Sequence, residues 1–272
     1  MYRRDSIMKY TDVIKEVRTK NPLIHCITNN VVINFTANGL IALGASPVMA
    51  SAKEEAAQMV QHAQALLINI GTLAAADAEA MILAGKEANR LGIPVIFDPV
   101  GVGATTYRTE TARRILAEVD VTVIRGNAGE IAVLGGISAK IKGVDGSGEG
   151  ISPGHVQQIA RELDTIVIAT GKIDVLSDGN HTYSVSNGHE MLTKITGSGC
   201  LLGAVVAAFA GAADDVMKAC IGALSFYGIA AEAAAELAQA PGSFQAAFLD
   251  QLYLLGNDVS GLERVDEIPV EV

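Results

Sequence analysis

The 272-residue chain is 50% hydrophobic and 18% charged, too apolar to stay disordered and long enough for one large α/β domain. Twenty Lys and Arg against 30 Asp and Glu leave a net charge of −10. The basic residues are scattered, which excludes a nucleic-acid-binding stripe and means that a local site must draw in any anionic substrate.

The first twenty residues alternate charged and apolar side chains and contain no signal-like apolar core. From there short apolar runs alternate with helical patterns. Strands are predicted over 23–27, 46–49, 65–70, 94–97, 121–124 and 165–169. Helices are predicted over 31–43, 54–63, 75–90, 110–118 and 154–163. Short apolar strands separated by helices specify a largely parallel sheet buried on both faces. Asp178-Gly179-Asn180, between 175–177 and 181–185, reads as a hairpin turn that adds an antiparallel edge. The glycine-rich stretch 143–150 reads as a flexible loop.

The longest apolar stretch, 197–213, is too short and too rich in Gly and Ala for a membrane span, so it is expected to be a buried helix. Ala/Gly-rich helices then continue to about residue 256. Low aromatic content with abundant Ala and Gly implies close approach of helices to the sheet. Three cysteines without paired spacing (Cys26, Cys200, Cys220) point to a reducing, cytoplasmic setting.

Four strand-end motifs carry chemistry. Gly197-Ser198-Gly199-Cys200 opens the apolar helix, whose first amides lack intrahelical partners and form a ready anion site. The same helix start is expected to lower the Cys200 pKa and expose a thiolate. Asp98-Pro99-Val100-Gly101 places a carboxylate at the carboxyl end of a strand, where open α/β sheets bind ligands, although Asp is also a common turn residue. Arg125-Gly126-Asn127-Ala128-Gly129-Glu130 reads two ways. It is a capping box between Asn127 and Glu130, or a site in which Glu130 faces a cation and Arg125 a phosphate. Thr170-Gly171 supplies a hydroxyl and a close backbone approach at the next strand end. No Walker-type loop is present, which excludes a P-loop enzyme, and the five His show no zinc-ligand spacing.

Asn127-Ala128-Gly129-Glu130 resembles the Asn-x-x-Glu motif of the ribokinase-like superfamily, and Gly197-Ser198-Gly199-Cys200 resembles its Gly-x-Gly-Asp anion hole. Cys in place of Asp, the Asp98-Pro99-Val100-Gly101 run and the opening Asn21-Pro22-Leu23-Ile24-His25-Cys26-Ile27-Thr28-Asn29 resemble the hydroxyethylthiazole kinase family. The match runs from about Lys9 to Gly256, with the motifs in the family's order.

The resemblance implies one ribokinase-like kinase domain over residues 1–272. It implies ATP-dependent phosphorylation of the hydroxyl of 5-(2-hydroxyethyl)-4-methylthiazole in thiamine biosynthesis or salvage, with Mg²⁺ as cofactor. It also implies a homotrimer with active sites between subunits. By the same resemblance Met49, Gly197 and Asn29 bind the thiazole, and Arg125 and Thr170 bind ATP. Asp98 and Glu130 hold Mg²⁺ and its waters. Cys200 lies beside the alcohol as the catalytic thiol, with the amides of Gly197, Ser198, Gly199 and Cys200 facing the transferring phosphoryl group. The competing readings are a related kinase of a pyrimidine or pyridoxal-type alcohol and, more distantly, a thiol-based binding protein without ATP.

Overall fold

The structure is a computed structural model that describes residues 10–137, 151–256, 259 and 261–269; the stretch 143–150 read as a flexible loop lies outside them. Among the described residues nine strands form one sheet. They are β1 (Leu23–Ile27), β2 (Ser46–Val48), β3 (Ala65–Asn69), β4 (Val95–Asp98), β5 (Val123–Asn127), β6 (Ile166–Thr170), β7 (Asp174–Ser177), β8 (Thr182–Val185) and β9 (Val265–Glu267). Their order is β2-β1-β3-β4-β5-β6-β7-β8-β9. The ladders from β2 to β6 are parallel and the last three are antiparallel. The α/β reading, the parallel core and the antiparallel edge all hold. The third edge strand, β9, was not anticipated.

Helices cover both faces, as a sheet apolar on both sides requires. One face carries α1 (Val13–Lys20), α2 (Ile33–Leu43), α8 (Ser198–Ala212), α9 (Val216–Leu237) and α10 (Pro241–Leu254). The other carries α3 (Ala56–Val60), α4 (Ala75–Leu91), α5 (Thr106–Glu118), α6 (Ala128–Leu134) and α7 (Pro153–Leu163). Within single strands the side chains divide between the two cores. Leu67, Ile96 and Ile168 join the α8 side, while Leu66, Ile68, Phe97 and Val167 join the α4 side.

Local chemistry explains where the boundaries moved. Thr105 Oγ1 accepts from the Arg108 amide and starts α5 four residues earlier than its apolar pattern suggests. The expected helix 54–63 shrinks to α3 because His62 N and Ala63 N bond three residues back, to Met59 O and Val60 O, and tighten the chain out of α geometry. β5 runs on through Arg125 and Gly126 to Asn127, whose register partner is Thr170, so two polar residues enter the ladder.

The expected buried helix is α8, nearly all of whose side chains past its first turn are buried. α9 is long and apolar enough to cross a membrane by length and composition, yet 72% of its apolar window is buried inside the fold. A small residue lets α9 lie against the backbone just before α1: a Cβ on Gly222 would stand 2.4 Å from the Tyr10 carbonyl oxygen. Gly222→Ala is therefore expected to destabilise the fold by about 1–3 kcal/mol, as overpacking does. Gly242→Ala, in open space, should cost far less. Urea unfolding of both variants checks the contrast.

Candidate active site

The strand order turns about β1: β2 lies on one side of it and β3 on the other, so the first two crossovers run in opposite directions. A crevice opens beyond the carboxyl ends at such a point. Asn29 follows β1, Asn69 ends β3 and Asp98 ends β4. α8 packs across β1, β3 and β4 with its first turn at that edge. At Gly203 the helix passes directly over Leu67 and the Asp98 carboxylate, close enough that a Cβ there would be in van der Waals contact with both, 3.4 Å from Leu67 Cδ1 and 3.5 Å from Asp98 Oδ2.

These residues form one polar relay. Asn29 Nδ2 donates to Cys200 Sγ at 3.3 Å and to Asn69 Oδ1 at 3.0 Å. Asn69 Nδ2 donates to Asp98 Oδ2 at 2.7 Å. Asp98 Oδ1 lies 3.7 Å from Arg125 Nη1, an ion pair without a hydrogen bond. Arg125 Nη2 donates to Thr170 Oγ1 at 2.8 Å, and Thr170 Oγ1 donates to Gly126 O at 3.2 Å. The backbone at Gly199 covers the guanidinium, since a Cβ there would be 3.0 Å from Arg125 Nη1.

Burial sets the electrostatics. The Asp98 carboxyl is wholly buried, and its pKa is pushed up to about 7. Burial outweighs Arg125, which pulls it down; Glu130 raises it further and the Asn69 hydrogen bond lowers it. Asp174, at the start of β7, is raised by burial to about 6 despite the Gly171 amide that it accepts and the nearby Arg125. For Cys200 the expectation is overturned: its pKa is raised, not lowered. Burial and the charge of Asp98 outweigh the hydrogen bonds from Asn69 and Asn29 and the pull of Arg125, so the group is a thiol at neutral pH.

Of the two readings of Glu130, the capping box is the one that the hydrogen bonds realise. Asn127 Oδ1 accepts from Glu130 N at 2.9 Å and Glu130 Oε2 accepts from Asn127 N at 2.8 Å, so the capping box is real. Glu130 Oε1 accepts from Gly101 N at 2.8 Å and ties the β4 and β5 loops together. The carboxylate still acts on Asp98. Ser198 Oγ donates to Leu192 O at 2.7 Å, so its hydroxyl is engaged within the chain. No side chain caps the start of α8. Met49 sits apart from the relay, just past β2, half-buried against the α8-side core.

Three residues that serve this edge were not singled out in the sequence. Asn69 was legible as a polar residue at the end of an apolar run. Tyr227, whose hydroxyl donates to Ser198 O at 2.6 Å and braces the first turn of α8, sits in an apolar helix and gave no signal. Arg108 donates to Ile70 O and Val100 O through Nη1, at 2.5 and 2.8 Å, and to Gly71 O through Nη2 at 2.6 Å, locking the β3 and β4 loops together. Among the described residues no group of three or more His, Cys, Asp or Glu could hold a metal by itself.

A mostly parallel sheet with this edge and this helix start defines a ribokinase-like fold. A ribokinase-like superfamily protein from Enterococcus faecalis V583 aligns with a TM-score of 0.64 at 12% identity, over 93% of this chain and 91% of its own. An ADP/ATP-dependent NAD(P)H-hydrate dehydratase from Bacillus subtilis, co-crystallised with ATP/Mg²⁺, aligns at 0.60 and 13% identity over 93% of each chain. The hydroxyethylthiazole kinase family model matches residues 14–258, and the chain belongs to that family. Hydroxyethylthiazole kinase from Pyrococcus horikoshii OT3 is 43% identical, with a TM-score of 0.87 over 96% of this chain and 99% of that one.

Two predictions follow from this geometry. Gly197 has φ +88°, and a Cβ there would lie 2.4 Å from Val32 Cγ1. Gly197→Ala should therefore shift the first turn of α8, costing about 1–3 kcal/mol in urea unfolding and more in ligand affinity than in stability. The raised Cys200 pKa means that its thiolate forms only above the ordinary thiol range. Its alkylation by iodoacetamide, followed by peptide mass spectrometry, should still accelerate beyond pH 9; a plateau near neutrality would contradict the assignment.

Proposed function

We propose that this kinase transfers the γ-phosphoryl group of ATP to the hydroxyl of 5-(2-hydroxyethyl)-4-methylthiazole, yielding the phosphate used in thiamine biosynthesis or salvage. The observation that carries this reading is the relay that joins Cys200 and Asn29, on the acceptor side, to Asp98, Arg125 and Thr170, on the nucleotide side, at the start of α8. The whole chain 1–272 acts as one kinase domain in the cytoplasm.

The donor set suits Mg²⁺. Asp98 Oδ1 is buried and has no hydrogen-bond partner, and Glu130 is close enough to raise the Asp98 pKa. Hard oxygen ligands of this kind, with retained waters, match the coordination that the ion favours. Asp98 and Glu130 would hold it, and when bound it would neutralise charge on the nucleotide phosphates.

The rest of the chemistry belongs to the chain. Phosphoryl transfer passes through a loose transition state, so positioning and charge stabilisation outweigh proton abstraction. The amides of Gly197, Ser198, Gly199 and Cys200, at the positive end of the α8 dipole, face the transferring group. Arg125, held by Thr170, adds a fixed positive charge, and Thr170 meets the nucleotide. Both Asn29 amide hydrogens are engaged, by Asn69 and Cys200, so Oδ1 is the acceptor that Asn29 offers to the alcohol. Cys200 receives a hydrogen bond at sulfur and keeps its S–H for the alcohol oxygen. It orients the nucleophile, and the hydroxyl proton leaves late. Met49 and Gly197 line the thiazole pocket, where a thioether suits a sulfur heterocycle.

A homotrimer with sites between subunits completes the pocket. In support, Val31, two residues beyond Asn29, is 68% exposed, and Ile33 is partly exposed beside it. Two cavities within one chain, of about 410 and 220 Å³, lie at the opposite, amino end of the sheet, around Pro94, Asp120 and Thr165.

Phosphate transfer from Mg·ATP to the thiazole, with hydroxymethylpyrimidine and pyridoxal as parallel acceptors, tests the function. Selective labelling of the thiazole is expected, and transfer to either other acceptor instead would overturn the pocket assignment. If Cys200 orients the alcohol without acting as a strong base, Cys200→Ala should lose less than the roughly 10²-fold that a general base supplies. Cys200→Asp should remain active or improve. Steady-state kinetics decide this, and a folded but inactive Cys200→Asp would refute it.

A further inference from the structure

Asn69 is the link in the relay that neither substrate needs to touch. Its side chain is 1% exposed at the end of β3. The Gly71 backbone N–H donates to Asn69 Oδ1 at 2.9 Å, and Asn29 Nδ2 donates to the same oxygen. A backbone N–H can only donate, so Oδ1 must face Gly71 and Asn29, and Nδ2 must face Asp98. The amide cannot flip, because its oxygen would then meet the Asp98 carboxylate.

This fixed orientation reaches both halves of the site. On one side the Asn69 donor occupies Asp98 Oδ2 and leaves Oδ1, the atom facing Arg125, without a hydrogen bond. On the other side it takes one Asn29 amide hydrogen, directs the second to Cys200 and itself acts on the Cys200 sulfur. Aspartate at position 69 would set two carboxyls together, and a shorter side chain would release one neighbour or both. The choice of Asn follows from needing a donor and an acceptor on opposite ends of one short, planar group.

We propose that Asn69 is a positioning residue for the transfer, orienting Asp98 towards the cation and Asn29 towards Cys200 and the acceptor alcohol, so that the metal and acceptor half-sites share one buried amide. The proposal rests on the functional reading above. It predicts that one substitution weakens two ligands that Asn69 does not touch.

The test is calorimetric binding of 5-(2-hydroxyethyl)-4-methylthiazole, together with Mg²⁺ titration in the presence of a non-hydrolysable ATP analogue, read as the rise in Tm. Both are run on wild type, Asn69→Ala and Asn29→Ala, with far-UV circular dichroism as the control for folding. Asn69→Ala should weaken both ligands by about 10- to 100-fold, the usual loss when the partner of a ligating side chain is removed. Combined with Asn29→Ala, its effect on thiazole affinity should be less than multiplicative, since the two residues are hydrogen-bonded to each other and act on the same Cys200. Asn69→Ser, which keeps a hydroxyl donor, should fall between and serves where the alanine variant fails to fold. Wild-type affinity for both ligands, or a loss confined to one, would overturn the shared role. A wild-type protein that binds no thiazole would instead overturn the functional reading on which the proposal stands.

Discussion

The constraint on which the site depends is the burial of one carboxylate. Asp98 ends a strand whose four residues are all buried, with β3 and β5 on either side and α8 above. An ionised carboxylate taken out of water costs several kcal/mol unless neighbours replace its hydration. Here the replacement is incomplete. Asn69 supplies one hydrogen bond, Arg125 supplies charge at 3.7 Å, and one oxygen keeps no hydrogen-bond donor. The raised pKa is the measure of that shortfall. Under the proposed function, a divalent cation would fill that shortfall and help a chain of net charge −10 to hold a nucleotide.

Much of the surrounding architecture serves that arrangement. Gly199 lets the first turn of α8 close over Arg125, and Gly197 takes the left-handed turn that starts the helix. Tyr227 braces the turn from α9, and Arg108 ties the β3 and β4 loops through three carbonyls. Preorganisation of this kind suits a reaction in which fixed dipoles and charges do most of the work. The glycines at the start of α8 are thus part of how its first amides reach the sheet edge.

The sequence made the architecture readable wherever periodicity was strong. β1 and β3–β6, the α4 helix and the β7–β8 hairpin were visible within a few residues because apolar runs and a turn dipeptide marked them. β9 was not, because Val265-Asp266-Glu267 is too short and polar to show a pattern and is a strand only through its pairing with β8. Asp98, Arg125 and Thr170 were legible as polar residues after strands, and the structure joins them in one relay. Asn69 obeyed the same rule but was absorbed into an apolar run. The Cys200 pKa went the other way because the helix dipole can be read from sequence, whereas the depth of burial and the nearness of Asp98 are properties of the folded chain.

The most direct test of this account is a crystal structure with hydroxyethylthiazole and a magnesium complex of a non-hydrolysable ATP analogue. The account predicts the γ-phosphoryl group at the amides of residues 197–200, the cation on Asp98 Oδ1, and the alcohol oxygen within hydrogen-bonding distance of Cys200 and Asn29. A nucleotide bound elsewhere, such as the amino-end cavity around Pro94 and Asp120, or an alcohol turned away from Cys200, would contradict it.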